Sequence, residues 1–229
     1  MPRRVATATV RRARPAVALS RERILEAAVR LADRDGIESL SMRRLGQELG
    51  VDPMSLYNHV RDKEGLLDAI VDVVVGEIEP AEVDTDWKSS LRETILNARR
   101  TMLRHPWAAR VIESRADPSP STMRHMERVM DIIRGGGLPL DLAHHALHVL
   151  GSRVLGFSQD LFDDSDGVPR DAEAAAMLAR QLAGSYPRLG ELAAAVTHEG
   201  GLGGCDDDVE FAFGLDLILD GLERLRTAA

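Results

Sequence analysis

Only 3% of the 229 residues are aromatic, and Cys205 is the single cysteine. One cysteine excludes an intramolecular disulfide framework and fits a reducing cytosol. No apolar run approaches the roughly 20 residues that a membrane-crossing helix needs, so a soluble, cytoplasmic chain is expected. Enzyme signatures are also missing: there is no GxSxG elbow, Walker phosphate loop, dinucleotide fingerprint or HExxH pair. Cys205 stands in a glycine-rich tether beside Asp206, Asp207 and Asp208, whose negative charge disfavours the thiolate a nucleophile requires. Neither catalysis nor a cofactor is therefore expected.

Net positive charge is lacking too, since the chain carries −8. That average conceals an asymmetry: residues 1–65 hold 13 Lys and Arg against 9 Asp and Glu, a net of +4, which leaves −12 on the remainder. Such a separation suits a basic head that meets phosphate and an acidic body that is kept away from it.

What is present is Leu, Ala and Val at helical spacing, which predicts an all-α fold of about nine to ten helices. Residues 1–19 carry Arg3, Arg4, Arg11, Arg12 and Arg14 with no acidic residue and no periodic apolar face, the composition of a disordered basic arm. Ser20 is expected to cap a first helix over about 21–35. The organising stretch follows, from Leu40 to Leu67. Ser41 caps a helix that Gly50 must end and reverse; Asp52-Pro53 then opens a second, with a capping carboxylate and a proline at the first helical position. Helix, glycine turn and capped helix make a helix-turn-helix, an arrangement that can present residues 53–59 to a DNA major groove.

The run Leu45, Leu49-Gly50-Val51, Leu56-Tyr57-Asn58-His59-Val60, Lys63-Glu64 and Leu66-Leu67 resembles the DNA-binding domain of the TetR (tetracycline-repressor) family of bacterial transcription regulators. The resemblance implies an all-helical homodimer with a DNA-binding domain over 20–66 and an effector-binding and dimerisation domain over 67–229. It also implies the DNA-contacting set Arg43, Pro53, Met54, Ser55, Tyr57, Asn58, His59 and Lys63. Arg43 occupies a guanine-reading position, and Arg suits bidentate contact with O6 and N7. Pro53 and Met54 match base-touching positions but lack donors, so apolar contact with a thymine methyl is what they can offer. Ser55, Tyr57, His59 and Lys63 match phosphate-facing positions, while Leu56 and Val60 anchor inward.

Beyond the head the pattern is helix after helix, punctuated by Pro and Gly. Expected spans include about 62–79, which would link head and body, then 87–104, 121–134, 139–162, 171–184, 189–198 and 206–226. In the last, Val209, Phe213, Leu217, Leu219 or Asp220, Leu222 and Leu225 form the apolar stripe, widened by Leu215 and Ile218. The family resemblance implies that the helices near 139–162 and 206–226 form a four-helix bundle across a dimer axis. Gly214 and Gly221 would allow close helix approach.

The body resembles the tetracycline-repressor-type C-terminal domain at His105-Pro106-Trp107, Leu155-Gly156-Phe157 and Phe213-Gly214-Leu215-Asp216. Ile112 falls where the founding repressor has its metal-binding histidine, and isoleucine cannot ligate Mg²⁺. Thr94 and Ala98 fall at drug-contacting positions. Met102, Trp107, Arg115, His148, Phe157 and Asp160 are the candidate lining of a pocket for an unknown small molecule. His144 and His148 have metal-ligand spacing but no obvious acidic or cysteine partner, and Asp163, Asp164, Asp166 and Gly167 lack the full calcium-loop pattern; no metal is expected.

The functional expectation is a homodimer that represses transcription at a palindromic operator in double-stranded DNA and is released by a small molecule. The alternative is a DNA-binding protein of the same fold controlled by a protein partner or by no effector at all.

Overall fold

The computed structural model describes residues 18–81, 86–156, 180–181, 183–195 and 207–228. Most of the basic arm, Phe157, Asp160, the acidic turn from Asp163 to Gly167, most of the helix expected over 171–184, and Cys205 lie outside the described residues. Within them the regular structure is wholly helical. The helices are α1 (Arg21–Asp35), α2 (Met42–Leu49), α3 (Pro53–Leu56), α4 (Lys63–Gly76), α5 (Trp87–Arg104), α6 (Ala108–Glu113), α7 (Pro120–Gly135), α8 (Leu140–Gly156), α9 (Pro187–Ala195) and α10 (Asp207–Ala228), with a 3₁₀ turn over Ile37–Ser39. None of the described helices is long and apolar enough to cross a membrane. The chain divides into two compact units between Ile70 and Val71, inside α4.

In the first unit each helix starts where a side chain takes up a free backbone N–H. Ser20 Oγ accepts from Arg23 N at 3.3 Å, Ser41 Oγ from Arg44 N at 3.2 Å, and Asp52 Oδ1 from Met54 N at 2.8 Å. The apolar face of α1, including Ile24, Ala28 and Leu31, is buried together with Leu45, Leu56 and Leu66. Asp62 precedes α4 as its capping residue, accepting from Gly65 N at 2.7 Å. The helix ends at Gly76, short of the expected Glu79. Glu77 and Ile78 continue as single turns onto Val74 and Val75.

The second unit has its core where α5, α7, α8 and α10 meet: Leu91 and Ile95, Val129 and Ile133, Ala146 and Leu150, and Phe211, Leu215 and Leu219. Lys88 and Arg92, one turn apart on α5, pair with Asp220 and Asp216, one turn apart on α10, so these two helices run antiparallel. The Arg92–Asp216 pair is two-pronged, at 2.6 and 3.2 Å. Helix α7 begins one residue earlier than expected: Pro120 is its first residue and Ser119 its cap.

In the last helix Leu215, Leu219 and Leu222 of the expected stripe are buried, while the rest of it is corrected and Phe211 joins the core. Phe211, Leu215, Leu219 and Leu222 are the buried set, whereas Val209, Phe213, Leu217 and Leu225 face solvent. Two cations flank the buried Phe211 ring: the guanidinium of Arg99 lies 4.4 Å over its centroid and that of Arg153 lies 4.9 Å away. Arg153 also donates to the carbonyls of Glu210 and Phe211, at 2.6 and 3.2 Å. A Cβ on Gly214 would stand 2.5 Å from that guanidinium, so this glycine makes room for Arg153; a Cβ on Gly221 would meet nothing within 4 Å.

Candidate functional site

The turn between α2 and α3 is held tightly. Gly50 ends α2 at φ +68°, the left-handed region that glycine enters at no steric cost. Gly46 is buried beneath the crossing, where a Cβ would lie 3.0 Å from the Val51 carbonyl and 3.1 Å from Pro53 Cγ. Arg21 Nη1 reaches from α1 to the His59 carbonyl at 3.1 Å and fixes the chain leaving α3. Leu56 and Val60 are buried, so the rest of the α3 turn is directed outward.

The outward residues are Met54, which is 71% exposed, Tyr57, Asn58 and Lys63, with Pro53, Ser55 and His59 half-buried. On α2, Arg43 and Arg44 are both exposed but differently committed. Arg44 is bound to Asp35 at 2.7 Å, and Arg34 to Glu48 at 3.1 Å. These ion pairs hold the Arg34 guanidinium above and the Glu48 carboxyl below their ordinary values, chiefly through the hydrogen bonds between the two. Neither Arg43 nor Lys63 pairs with an acidic group among the described residues. The helix-turn-helix therefore offers two uncommitted cations and an exposed hydroxyl-bearing aromatic, which is the chemistry a phosphate backbone and a guanine edge require.

The second unit contains a cavity of about 500 Å³ between the end of the α4 segment, α5, α6, α7 and α8. Val75, Ile78, Ile95, Met102, Met126 and Val129 supply much of its apolar wall. Two of the six candidate pocket residues, Met102 and His148, are in the lining; Trp107 and Arg115 are not. Trp107 is buried beside His105, ring edge to ring face at 6.2 Å, and Arg115 turns to the Ser114 hydroxyl at 3.3 Å. Phe157 and Asp160 lie outside the described residues. Ala98 and Ile112 line the cavity as well, while the Thr94 hydroxyl is turned back onto the Ser90 carbonyl at 2.8 Å.

Neither Gly46 nor His125, which also lines the cavity, was singled out by sequence pattern. The available signal for His125 was its position four residues before Val129, on the buried stripe of α7.

His144 and His148 stack edge to face with centroids 4.6 Å apart on an exposed part of α8. Among the described residues no three His, Cys, Asp or Glu side chains are grouped to hold a metal ion.

The same two units appear in comparisons with known proteins. A family profile described as bacterial regulatory proteins of the tetR family matches residues 24–70, and one described as the tetracyclin repressor-like C-terminal domain matches residues 79–226. The chain belongs to the TetR family. It is thus a member of a family of DNA-binding transcription regulators. The relatives include the HTH-type transcriptional repressor DrrR1 of Streptomyces coeruleorubidus, 37% identical across 92% of this chain and 80% of that protein. The class C tetracycline repressor of Escherichia coli is 28% identical over 91% of this chain and 92% of its own length. Among solved structures, apo ActR from Streptomyces coelicolor superposes with a TM-score of 0.72 at 33% identity, covering 92% of this chain and 98% of that one. ActR in complex with actinorhodin superposes at 0.69 and 32% identity, covering 92% and 99%.

Proposed function

We propose that this protein is a homodimeric repressor that holds a palindromic operator through its α2–α3 face and releases it when a small molecule fills the body cavity. One observation carries the reading: Val75, at the end of the helix α4 that begins at Lys63 beside the DNA-facing turn, and Ile78, two residues past its end, are part of the cavity wall. A ligand packed against them acts on α4, and α4 continues from the body segment into the segment that carries the head. A shift of that helix on ligand binding would change the spacing of the two heads along the duplex, where about 34 Å separates successive half-sites. The differential affinity of the ligand for the two arrangements sets the size of the response. The relatives support both halves of the reading, since DrrR1 is named a repressor and ActR has been crystallised with a small molecule bound.

In this reading residues 20–66 are the DNA-binding domain and residues 67–229 the effector and dimerisation domain, acting in the cytoplasm without a catalytic step. Arg43 reads a guanine. Pro53 and Met54 give apolar contact, and Ser55, Tyr57, Asn58, His59 and Lys63 position the backbone. The solvent-facing row Val209, Phe213 and Leu217 on α10, with Leu140 and Val149 on α8, is the apolar surface that a second copy would cover.

The test is operator selection from genomic fragments with the purified chain, followed by gel shifts at fixed salt with and without small molecules. A palindromic site bound by a dimer and vacated on ligand addition is expected. Binding that no cavity-occupying compound alters would favour control by a protein partner or constitutive repression.

A further inference from the structure

The body cavity is apolar in its depth and carries one carboxylate where it opens. Val75, Ile95, Met102, Val129 and Leu150 line it and are buried. The lining residues that stay exposed, Glu113, His148, Ser152 and Gly156, mark where it meets water. Ser152 donates its hydroxyl to the His148 carbonyl at 2.9 Å. Glu113, the last residue of α6, takes part in no ion pair or hydrogen bond among the described residues. It is also the only Asp or Glu in the described lining, which holds no Lys or Arg.

Resting on the reading of this cavity as the effector site, we infer that its ligand is an amphiphilic cation, with an apolar body seated between α5, α7 and α8 and an ammonium-type head left at the opening against Glu113. An ion is costly to move into an apolar interior without a partner, so a ligand's charge belongs where water still reaches it. There a cationic head meets a carboxylate, whereas an anionic head would meet the same carboxylate and no Lys or Arg of the lining. His125 adds no positive charge to the wall: burial, and after it the charge of Arg128, push its imidazole below the ordinary value, so the ring is neutral above pH 7. Arg128 itself is not in the lining. The charge of the whole body has the same sign as Glu113. Residues 66–229 carry −12, and the stretch 157–179, which continues the sequence from Gly156, holds six acidic residues against Arg170. A cleft in such a field concentrates cations and disfavours anions. The volume of about 500 Å³ suits a body of about four fused rings.

Three probes of one skeleton separate cation, neutral molecule and anion: pyrenylmethylammonium, pyrenylmethanol and pyrenylacetate, measured by equilibrium dialysis against the full chain without DNA at about pH 7.5. Wild type is expected to bind the ammonium about threefold more tightly than the alcohol, the worth of one ion pair open to water, and about tenfold more tightly than the acetate. Raising KCl should shrink both ratios. Glu113→Gln, which keeps the shape and removes the charge, should bring the ammonium-to-alcohol ratio close to one. Glu113→Lys should turn the preference over to the acetate; thermal melts establish that both variants are folded. An undiminished ammonium preference in Glu113→Gln, acetate bound as tightly as ammonium by wild type, or no binding of any probe overturns the inference. Release of operator DNA by each probe is scored separately by gel shift. Glu113-dependent binding of the ammonium without release would count against the proposed function and leave the ligand class standing. Release by the alcohol or the acetate at lower concentration than by the ammonium would overturn the ligand class and leave the proposed function standing.

Discussion

Asp72 on α4 accepts a hydrogen bond from the backbone N–H of Ser121 at 2.7 Å, across 49 residues of chain. Ser121 is the second residue of α7, so a carboxylate from one helix caps the positive end of another. Nearby, Glu77 accepts from His105 Nε2 at 3.1 Å and from Arg104 at 3.3 Å, and Asn97 Nδ2 donates to the Glu79 carbonyl at 2.9 Å. The segment 72–79 is thereby tied to α5 and α7, two helices that wall the cavity.

Removing the Asp72 cap should be felt in stability and in its pH dependence. Partial burial by itself raises the Asp72 carboxyl, but hydrogen bonds from the backbone and side chain of Ser121 and from Ser119, with Arg124 nearby, outweigh it and leave the pKa below the ordinary value. A depressed carboxyl adds stability that is fully present above the unfolded value near pH 4 and is lost as pH falls through the folded value. Asp72→Ala is therefore expected to cost about 1 kcal/mol at pH 7. Urea titrations should show the gap to wild type narrowing below about pH 4.

In the proposed reading, the α2–α3 face divides into residues that read sequence and residues that hold the backbone. Arg43→Ala should weaken operator binding by about 1–3 kcal/mol and relax the preference at one base pair per half-site. Tyr57→Ala and Lys63→Ala should weaken binding to all sequences alike, and Lys63→Ala should reduce the salt slope by about one for each head. Fluorescence anisotropy across a KCl series checks all three; operator affinities equal to wild type would remove the assignment.

The turn itself depends on two glycines for different reasons. Gly46→Ala inserts a methyl 3.0 Å from the Val51 carbonyl and against the Pro53 ring, and is expected to cost about 1–3 kcal/mol. Gly50→Ala meets no neighbour but must hold φ +68°, a conformation that costs an L-residue about 1–2 kcal/mol. Thermal unfolding of the full chain, read by the melting of the head, should show both losses. Gly46→Ala should also depress DNA affinity beyond its effect on stability, because it moves Pro53.

Neighbouring phenylalanines on α10 should behave oppositely. Phe211 is fully buried between Arg99 and Arg153, and Phe211→Ala is expected to destabilise the body by about 3–5 kcal/mol. Phe213 is 61% exposed, so Phe213→Glu should leave the fold of one copy intact and instead break self-association. Sedimentation velocity at micromolar concentration should give a monomer for Phe213→Glu. Its operator affinity should fall with it, since one head alone reads only half a site.

The sequence by itself determined the parts of this protein whose causes are local. Ser20, Ser41, Asp52 and Asp86 cap helices through hydrogen bonds that span two or three residues, and Gly50 turns the chain through its own φ angle. The helix-turn-helix was legible for that reason, down to the burial of Leu56 and Val60. The resemblance of Leu49-Gly50-Val51 and Leu56-Tyr57 to the TetR DNA-binding domain did the rest.

Tertiary structure decided what local pattern left open. Along α10 apolar residues occur on nearly every side, so periodicity does not choose which stripe turns inward; packing against Leu91, Ile95, Ile133 and Leu150 of α5, α7 and α8 does, and Arg99 and Arg153 flank the Phe211 ring it buries. The cavity is likewise a product of helices brought together from distant stretches. Met102 and His148 reach it, Trp107 packs against His105 instead, and His125 lines it although no spacing rule announces that. A helix start is set by bonds a few residues long, whereas the lining of a cavity depends on the mutual packing of whole helices, and only the folded chain supplies that.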